Sequence, residues 1–347
     1  MKHILVIYNA VPDRSSLSRD LKSEMGLMEV AAGIVGSLEP QFHVSSIPFI
    51  GDIVLLMEQL RDLKPDAVFN LFEGTYGISQ SEVLVPVALE IMRIPYTGSR
   101  PKTLELCVNK ARTKEVLLRR NVPTPRFDLF LIGENIHTSL QFPLMVKPAH
   151  EDASIGIANE SVVESEEQLK ARVAFIWNQH KQAAIAEEFI DGREFNVSIC
   201  GDPDFEHDFA HPSQPRVLPI SEIKFDSMPT GLRRIVSYKA KWDEASVEYQ
   251  STVPQCPASL DSKLEGEIKL LAMRTFEAVG CRDYARVDFR LSREGKPYVI
   301  DVNPNPDISP DAGLARAFKV SGKSYDEMIR FIAGLALNRK ALPGSVF

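Results

Sequence analysis

The sequence predicts a mixed α/β and α+β protein: an N-terminal doubly wound parallel-sheet domain, a small central α+β domain and a C-terminal α+β domain. Three observations lead there. Apolar, β-branched runs alternate with helical patterns over residues 1 to about 105, as in strands joined by crossover helices. A Lys/Arg/Leu-rich helical stretch then stops at Val122–Pro125 (VPTP), and extended segments take over. Near the end, two alternating runs flank the tetrapeptide SREG, as in a β-hairpin. The expected divisions are 1–105, 106–188 and 189–347.

Taken in order, Ile4–Tyr8 has the continuous apolar character of a buried parallel strand. A helix is expected from about Ser23 to Leu38, a strand at His43–Ile47, a helix at Ile53–Leu63, a strand at Asp66–Leu71 and a helix at Ser81–Met92. In the middle, the reading gives a helix over Asn109–Arg120, a strand at Phe142–Pro148, a short loop at Glu151–Ile157, a helix over Ser165–Gln179 and a strand at Ala184–Ile190. The remainder gives a polar loop around Ser237–Val253, a helix at Asp261–Val279 and the hairpin Tyr284–Asn303.

Bulk properties narrow the function classes. The 347 residues are 44% hydrophobic and 25% charged, ordinary globular usage with material for several cores. A net charge of −7 lacks the basic footprint of a nucleic-acid partner. No apolar run approaches the ~20 residues of a membrane helix, and MKHILVIYNA reads as a first strand rather than a signal peptide. Cys107, Cys200, Cys256 and Cys281 form no CxxC pair, so neither a zinc site nor a disulfide framework is expected. A cytoplasmic protein with reduced thiols and no membrane association is the resulting expectation.

The hairpin is the most informative local feature. With Arg293 and Glu294 as a two-residue loop, Asp288 faces Val299 and Arg286 faces Asp301. Side chains alternate along strands, so Arg286, Asp288, Asp301 and Asn303 share one face, while Val287, Phe289, Ile300 and Val302 go to the core. A slip of one residue would break this grouping. Two carboxylates and an amide oxygen suit a hard cation such as magnesium; a solvated polar face with an Arg–Asp cross-strand pair is the other reading.

Lys147 ends an apolar strand and Lys110 opens a helix; each is either a surface lysine or a point charge for phosphate oxygens. Ser154–Gly156 lies in a loop whose N–H groups suit an anion, or forms a plain turn. Glu187, Glu188 and Glu194 surround a tight turn, either an acidic surface hairpin or a strand end offering backbone to a base and a carboxylate to a ribose. His207 and His211 are better read as a loop pair than as metal ligands, because Pro203, Pro212 and Pro215 oppose a helix. GxSxG, HExxH, Walker A and GxGxxG motifs are absent from the expected positions.

In order, the segments IPYTGS, NKARTKEVLLRRNVPTP, FPLMVKPAHEDASIGI, EEFIDGREFNVSI, SYKAKW, YARVDF and DVNPNPD resemble the ATP-grasp superfamily, and within it the D-alanine–D-alanine ligase family. The resemblance runs along nearly the whole chain and is strongest over residues 94–305. It implies the ATP-grasp fold and an ATP-dependent, ADP-forming ligase that joins amino acids or a small peptide through an acyl-phosphate. It implies ATP with two magnesium ions, manganese being an alternative, and a homodimer. By residue, it implies Lys110 and Lys147 on ATP phosphates, Ser154 in the loop above them, and Glu187, Glu188, Phe189 and Ile190 as the hinge reading adenine. It further implies Glu194 on the ribose, Asp288, Asp301 and Asn303 on the metals, Arg286 on the transferred phosphoryl group, and Lys241 on a closing loop.

Several positions depart from the family pattern. FNLFEGTYGISQSE replaces HGxxGExG, Trp242 follows Lys241 in place of tyrosine, Asp307 replaces a glycine and Ala312 a serine. Glu24 is the nearest candidate for the family's amine-holding glutamate. Asp307 favours a cationic or carboxylate-poor acceptor over plain D-alanine. The alternatives are a nucleotide-binding homologue without catalysis, and an ATP-grasp kinase or cyclo-ligase.

Overall fold

The computed structural model describes residues 1–10, 21–74, 79–201 and 214–339, with backbone alone for 21–27. His207 and His211 therefore lie outside the described residues.

The first sheet is parallel, with β1 (His3–Asn9) between β2 (His43–Phe49) and β3 (Ala67–Leu71). The chain runs from β1 to one neighbour and then to the other. The crevice between the carboxyl ends of β1 and β3 is thus a topological switch point, where α/β sheets bind ligands. α1 (Leu21–Leu38), α2 (Ile53–Leu63) and α3 (Leu84–Met92) cover the sheet. Alternation along β1 divides the packing: Ile4 and Val6 join one core with α1, and Leu5 and Ile7 join the opposite core with α2 and α3. The first core also contains Met328, Ile329 and Ile332 from the C-terminal helix Tyr325–Leu337. The N-terminal sheet is therefore closed by the last helix of the chain. The expected helix at Ser81–Met92 begins as a 3₁₀ turn over Ser79–Val83.

α4 (Pro101–Val108) was not expected from sequence, although Pro101 sits where proline favours a helix start. Residue 105, the expected end of the first domain, lies within it. Asn109 breaks the run and caps α5 (Lys110–Arg119), its side chain accepting from the Arg112 N–H. The central sheet is antiparallel in the order β4 (Phe127–Phe130), β7 (Ala184–Glu188), β5 (Leu144–Pro148), β6 (Val162–Val163), with α6 (Glu166–His180) packed on it.

The third sheet is antiparallel, in the order β11 (Val253–Gln255), β10 (Ser221–Lys224), β8 (Glu194–Gly201), β12 (Asp283–Leu291), β13 (Pro297–Asn303), with β9 (Arg216–Val217) beside β8. Its core face packs Val197, Val287, Phe289 and Val302 against α9 (Ser262–Val279). The segment expected as a polar loop contains two short helices, α7 (Tyr238–Trp242) and α8 (Val247–Gln250). Ser237 and Ser246 cap them by accepting N–H bonds three residues on. α10 (Gly313–Val320) and α11 (Tyr325–Leu337) end the described chain. Among the described residues no helix is long and apolar enough to cross a membrane, and all four cysteines are free.

Candidate active site

A cavity of about 1050 Å³ is walled by the central and third sheets, the Glu151–Ile157 loop and α7. Of the side chains singled out from sequence, all but Glu24 line it: Lys110, Lys147, Ser154, Glu187 to Ile190, Glu194, Lys241, Trp242, Arg286, Asp288, Asp301, Asn303 and Asp307. Glu24 lies in the part of α1 whose side chains are not described.

The hairpin differs from expectation in register. Asp288 pairs with Asp301 and Arg286 with Asn303, not with Val299 and Asp301. Two irregularities account for this. The turn holds three residues, Arg293 to Gly295, with Gly295 at φ 82° rather than a two-residue loop. A β-bulge then inserts Ile300 between the Asp288–Asp301 and Phe289–Val299 pairs. Each shifts register by one, and together they return all four polar residues to one face. Ile300, expected in the core, is the bulged residue instead. It is half-buried on the cavity wall, while Val299 takes the core position.

Asp288 is the hub of that face. Its carboxylate accepts from Arg286 Nε and Nη2 at 2.8 and 2.9 Å, from Asn196 Nδ2 at 2.7 Å and from Asn303 Nδ2 at 3.1 Å. Asp301 accepts from Lys110 Nζ at 3.2 Å, and Lys110 also reaches Asp152 at 3.2 Å. Burial alone would pull the proton off the Lys110 ammonium; Asp301 and Asp152 outweigh it and hold its pKa above the usual lysine value. For Asp152 burial dominates and raises its pKa, whereas Lys110 and Lys147 overcome burial at Asp301 and lower it. Asp301 is therefore the firmer anionic partner of Lys110.

Glu187 carries a second network. Its oxygens lie 2.7 Å from Lys147 Nζ and 2.7 Å from Lys114 Nζ, with all three side chains buried. Burial would raise the Glu187 pKa; the two lysines reverse this and hold it below the ordinary value. On β8, Glu194 is paired with Arg290 at 2.7 Å, and burial, opposed by Arg290, leaves its pKa raised. Arg290 also donates to the Ile190 carbonyl at 3.1 Å and lies over the Phe189 ring, so it fixes the turn after β7. Glu188 pairs with Arg126 at 2.6 Å.

The Glu151–Ile157 loop is shaped by left-handed backbone at Ala153, Ser154 and Gly156. A Cβ at Gly156 would lie 2.7 Å from Pro148 Cγ and 2.8 Å from His180 Nε2, so only glycine fits. The loop is fastened to the α7 segment three times. Ser154 Oγ donates to the Val236 carbonyl at 2.9 Å, Tyr238 N–H to the Ile157 carbonyl at 2.9 Å, and Trp242 Nε1 to the Ala153 carbonyl at 2.9 Å. Lys241 stacks 5.0 Å from the Trp242 ring, and burial followed by the Arg286 charge lowers its pKa.

At the far end, Asp307 is exposed and accepts from Ser309 N–H at 2.8 Å. Ala312 is the N-cap of α10 and supplies no side-chain cap, while Arg316, one turn on, lines the cavity. Glu73 follows β3 at the switch point, tied by its N–H to Asn9 Oδ1 at 2.9 Å, with Asp307, Lys241 and Asp152 as its electrostatic neighbours.

Residues missed from sequence include Lys114, Asn196, Arg290 and Glu73. Three had a signal. Lys114 is one helical turn beyond Lys110. Arg290 continues the period-two face of Arg286 and Asp288, and Asn196 continues that of Glu194. The cross-strand pairs Asp288–Asn196 and Arg290–Glu194 join those faces.

Asp288, Asp301 and Asn303 offer only oxygen donors to a cation, fitting a hard ion. Among the described residues no three His, Cys, Asp or Glu side chains form a self-sufficient metal cage. An ion there would complete its shell with phosphate oxygens and water, the ordinary habit of magnesium.

Comparison with known proteins agrees with this architecture. Residues 124–333 match the model of the D-ala D-ala ligase C-terminus. The uncharacterized protein y4sG of Sinorhizobium fredii is 34% identical over 317 residues, covering 89% of this chain and 88% of the relative. The D-alanine–D-alanine ligase of Syntrophotalea carbinolica is 32% identical over 286 residues, covering 82% and 83%. The crystal structure of the Bacillus anthracis D-alanine–D-alanine ligase superposes with a TM-score of 0.75 at 22% identity, covering 97% of this chain and 98% of that one. By its polar hairpin face, its three sheets and these relatives, the chain belongs to the D-alanine–D-alanine ligase family of the ATP-grasp superfamily.

Proposed function

We propose that this enzyme joins the carboxylate of an amino acid or small peptide to an amine, with ATP converted to ADP through an acyl-phosphate, and that its amine substrate is not plain D-alanine. The observation that carries the reading is the single cavity lined by Lys110, Lys147, Arg286, Asp288, Asp301 and Asn303 together with the turn after β7. A carboxylate resists attack because its leaving group would be oxide. Phosphorylation supplies a leaving group, and cations around the phosphoryl oxygens lower the barrier.

Lys110 and Lys147 hold the phosphates in this reading, the backbone of Glu187 to Ile190 borders the base, and Glu194 faces the ribose. Asp288, Asp301 and Asn303 hold magnesium, which when bound neutralises phosphate charge. Arg286 has one edge on Asp288, leaving the rest of its guanidinium for the phosphoryl oxygens in flight. Lys241 and Trp242 ride on the α7 segment, which, joined to the Glu151–Ile157 loop, excludes water from the acyl-phosphate.

Asp307 and the loss of a serine at Ala312 support a cationic or carboxylate-poor amine. Asp307 would repel an acceptor carboxylate and attract an ammonium. A cytoplasmic location fits the four free thiols. Pooled D- and L-amino acids with magnesium and ATP provide the test, read by ADP release and mass analysis of products. Amide product in step with ADP is expected. No ADP with any pair, or a phosphorylated or cyclised product, overturns the ligase reading. Efficient D-alanyl-D-alanine synthesis at millimolar substrate overturns the specificity reading.

A further inference from the structure

Lys114 belongs to no role assigned above, yet among the described residues it is as buried as any lysine. It sits one turn beyond Lys110 on α5, and the two lysines go to different places. Lys110 enters the cavity toward Asp301. Lys114 runs behind the wall to Glu187 Oε2, 2.7 Å away, and donates to Thr124 Oγ1 at 2.8 Å. Thr124 passes the bond on to the Val299 carbonyl at 2.8 Å, next to the bulged Ile300. The other Glu187 oxygen takes Lys147, whose Nζ also lies 3.5 Å from the Ile300 carbonyl. One buried carboxylate is thus shared by two lysines, of which only Lys147 lines the cavity.

We propose that Lys114 is a positioning residue for Lys147, holding Glu187 from behind so that Lys147 keeps its reach and charge for an anionic ligand. The physical reason lies in the charge balance. In a poorly solvated wall, a lone carboxylate and a lone ammonium neutralise each other closely. A second cation on the far oxygen divides the pull of Glu187 and fixes its rotamer. Lys147 is then anchored without being fully neutralised. Through Thr124 the same lysine also fixes Val299, two residues before Asp301, and so ties the β7 end to the hairpin.

This inference rests on the proposal that Lys147 contacts nucleotide phosphates. The test compares magnesium–ADP, which has phosphates, with adenosine, which has none, by titration calorimetry on the full chain. Lys114→Met is expected to weaken ADP binding about tenfold while leaving adenosine within about twofold. Lys114→Arg should recover most of the loss. Adding Glu187→Gln to Lys114→Met should also recover part of it, because Lys147 is freed from its remaining neutralising partner. A Lys114 that merely supports the fold predicts the opposite, further loss in the double variant. Thr124→Val, which removes the Lys114 acceptor, provides the same test if Lys114→Met does not fold; about a threefold loss for ADP alone is expected. Equal losses for ADP and adenosine, or none for either, overturn the proposal. Lys147→Met separates the two layers: if it leaves ADP affinity unchanged, the phosphate reading of Lys147 falls and this inference with it. If it weakens ADP but Lys114→Met does not, only the role of Lys114 falls.

Discussion

At the lysine-lined end of the cavity, Lys110, Lys114 and Lys147 are each buried and each within 3.2 Å of a carboxylate. At the other end, Lys241, Glu73 and Asp307 are electrostatic neighbours, yet none forms an ion pair with another among the described residues. The two ends differ in what completes them. Charges at the first end are matched by the fold itself, because lysines and acids taken out of water need partners before any ligand arrives. Charges at the second end have no such partner among the described residues, and burial shifts Glu73 and Lys241 toward their neutral forms, so a substrate can supply the missing charge. The first end should therefore respond to mutation through stability and nucleotide affinity together, and the second through substrate affinity alone.

That contrast is open to attack at four points. The largest effect is expected at Glu187. Replacing it with leucine strands two buried ammonium groups, and urea unfolding should show a loss of about 3–5 kcal/mol. A loss near zero would mean that the wall is wetter than its geometry implies. Next, Arg286→Ala should lower kcat by about 10²–10³-fold, since its role is toward charge developing in transfer, and should also lower the melting temperature because it strips two hydrogen bonds from the buried Asp288 carboxylate. Steady-state kinetics beside a melting curve decides this.

Third, Glu82 tests whether the seam between the sheets titrates. Burial pushes its carboxyl up to about 8, against the Asn305 hydrogen bond, with Asp152 and Glu73 adding to the rise. Its Oε1 accepts from Asn305 Nδ2 at 2.7 Å, and Asn305 also accepts from Tyr284 and donates to the Phe72 carbonyl. The folded protein holds that proton more tightly than the unfolded chain, so stability falls as pH rises from about 4.5 to about 8. Between pH 5 and pH 7 the fall should be about 2 kcal/mol, and Glu82→Gln should flatten it. An unchanged slope in the variant would assign the pH dependence elsewhere. The smallest effect is expected at Asp307. Asp307→Asn should raise KM for the amine about tenfold, leaving KM for ATP and the melting temperature unmoved. A matching change in the ATP constant would break the distinction between the two ends.

Much of the lysine-lined end was legible because its residues sit in regular elements with known periods. Period two put Arg286 and Asp288 together, and the same rule carried further reaches Arg290 and Asn196. The open end was harder to read. Glu73 stands in a connection after β3, and only the strand order 2-1-3 brings that connection near Asp152, Lys241 and Asp307. Lys241 and Trp242 lie on the short helix α7, whose serine cap is visible in the sequence but whose docking on the Ala153 loop is not.

The sequence by itself determined which residues carry charge, which strand faces are polar and which family pattern the chain follows, because these depend on local period and residue chemistry. Tertiary structure decided the rest. The hairpin face survives only because a three-residue turn and the bulge at Ile300 each shift the register by one in the same direction, and a shift of two keeps the face; no local propensity counts both. Lys114 is a buried partner of Glu187, not a surface lysine, because α5 packs behind β7. The first sheet is closed by Tyr325–Leu337 because an apolar face must be covered and the element that covers it need not be near in sequence.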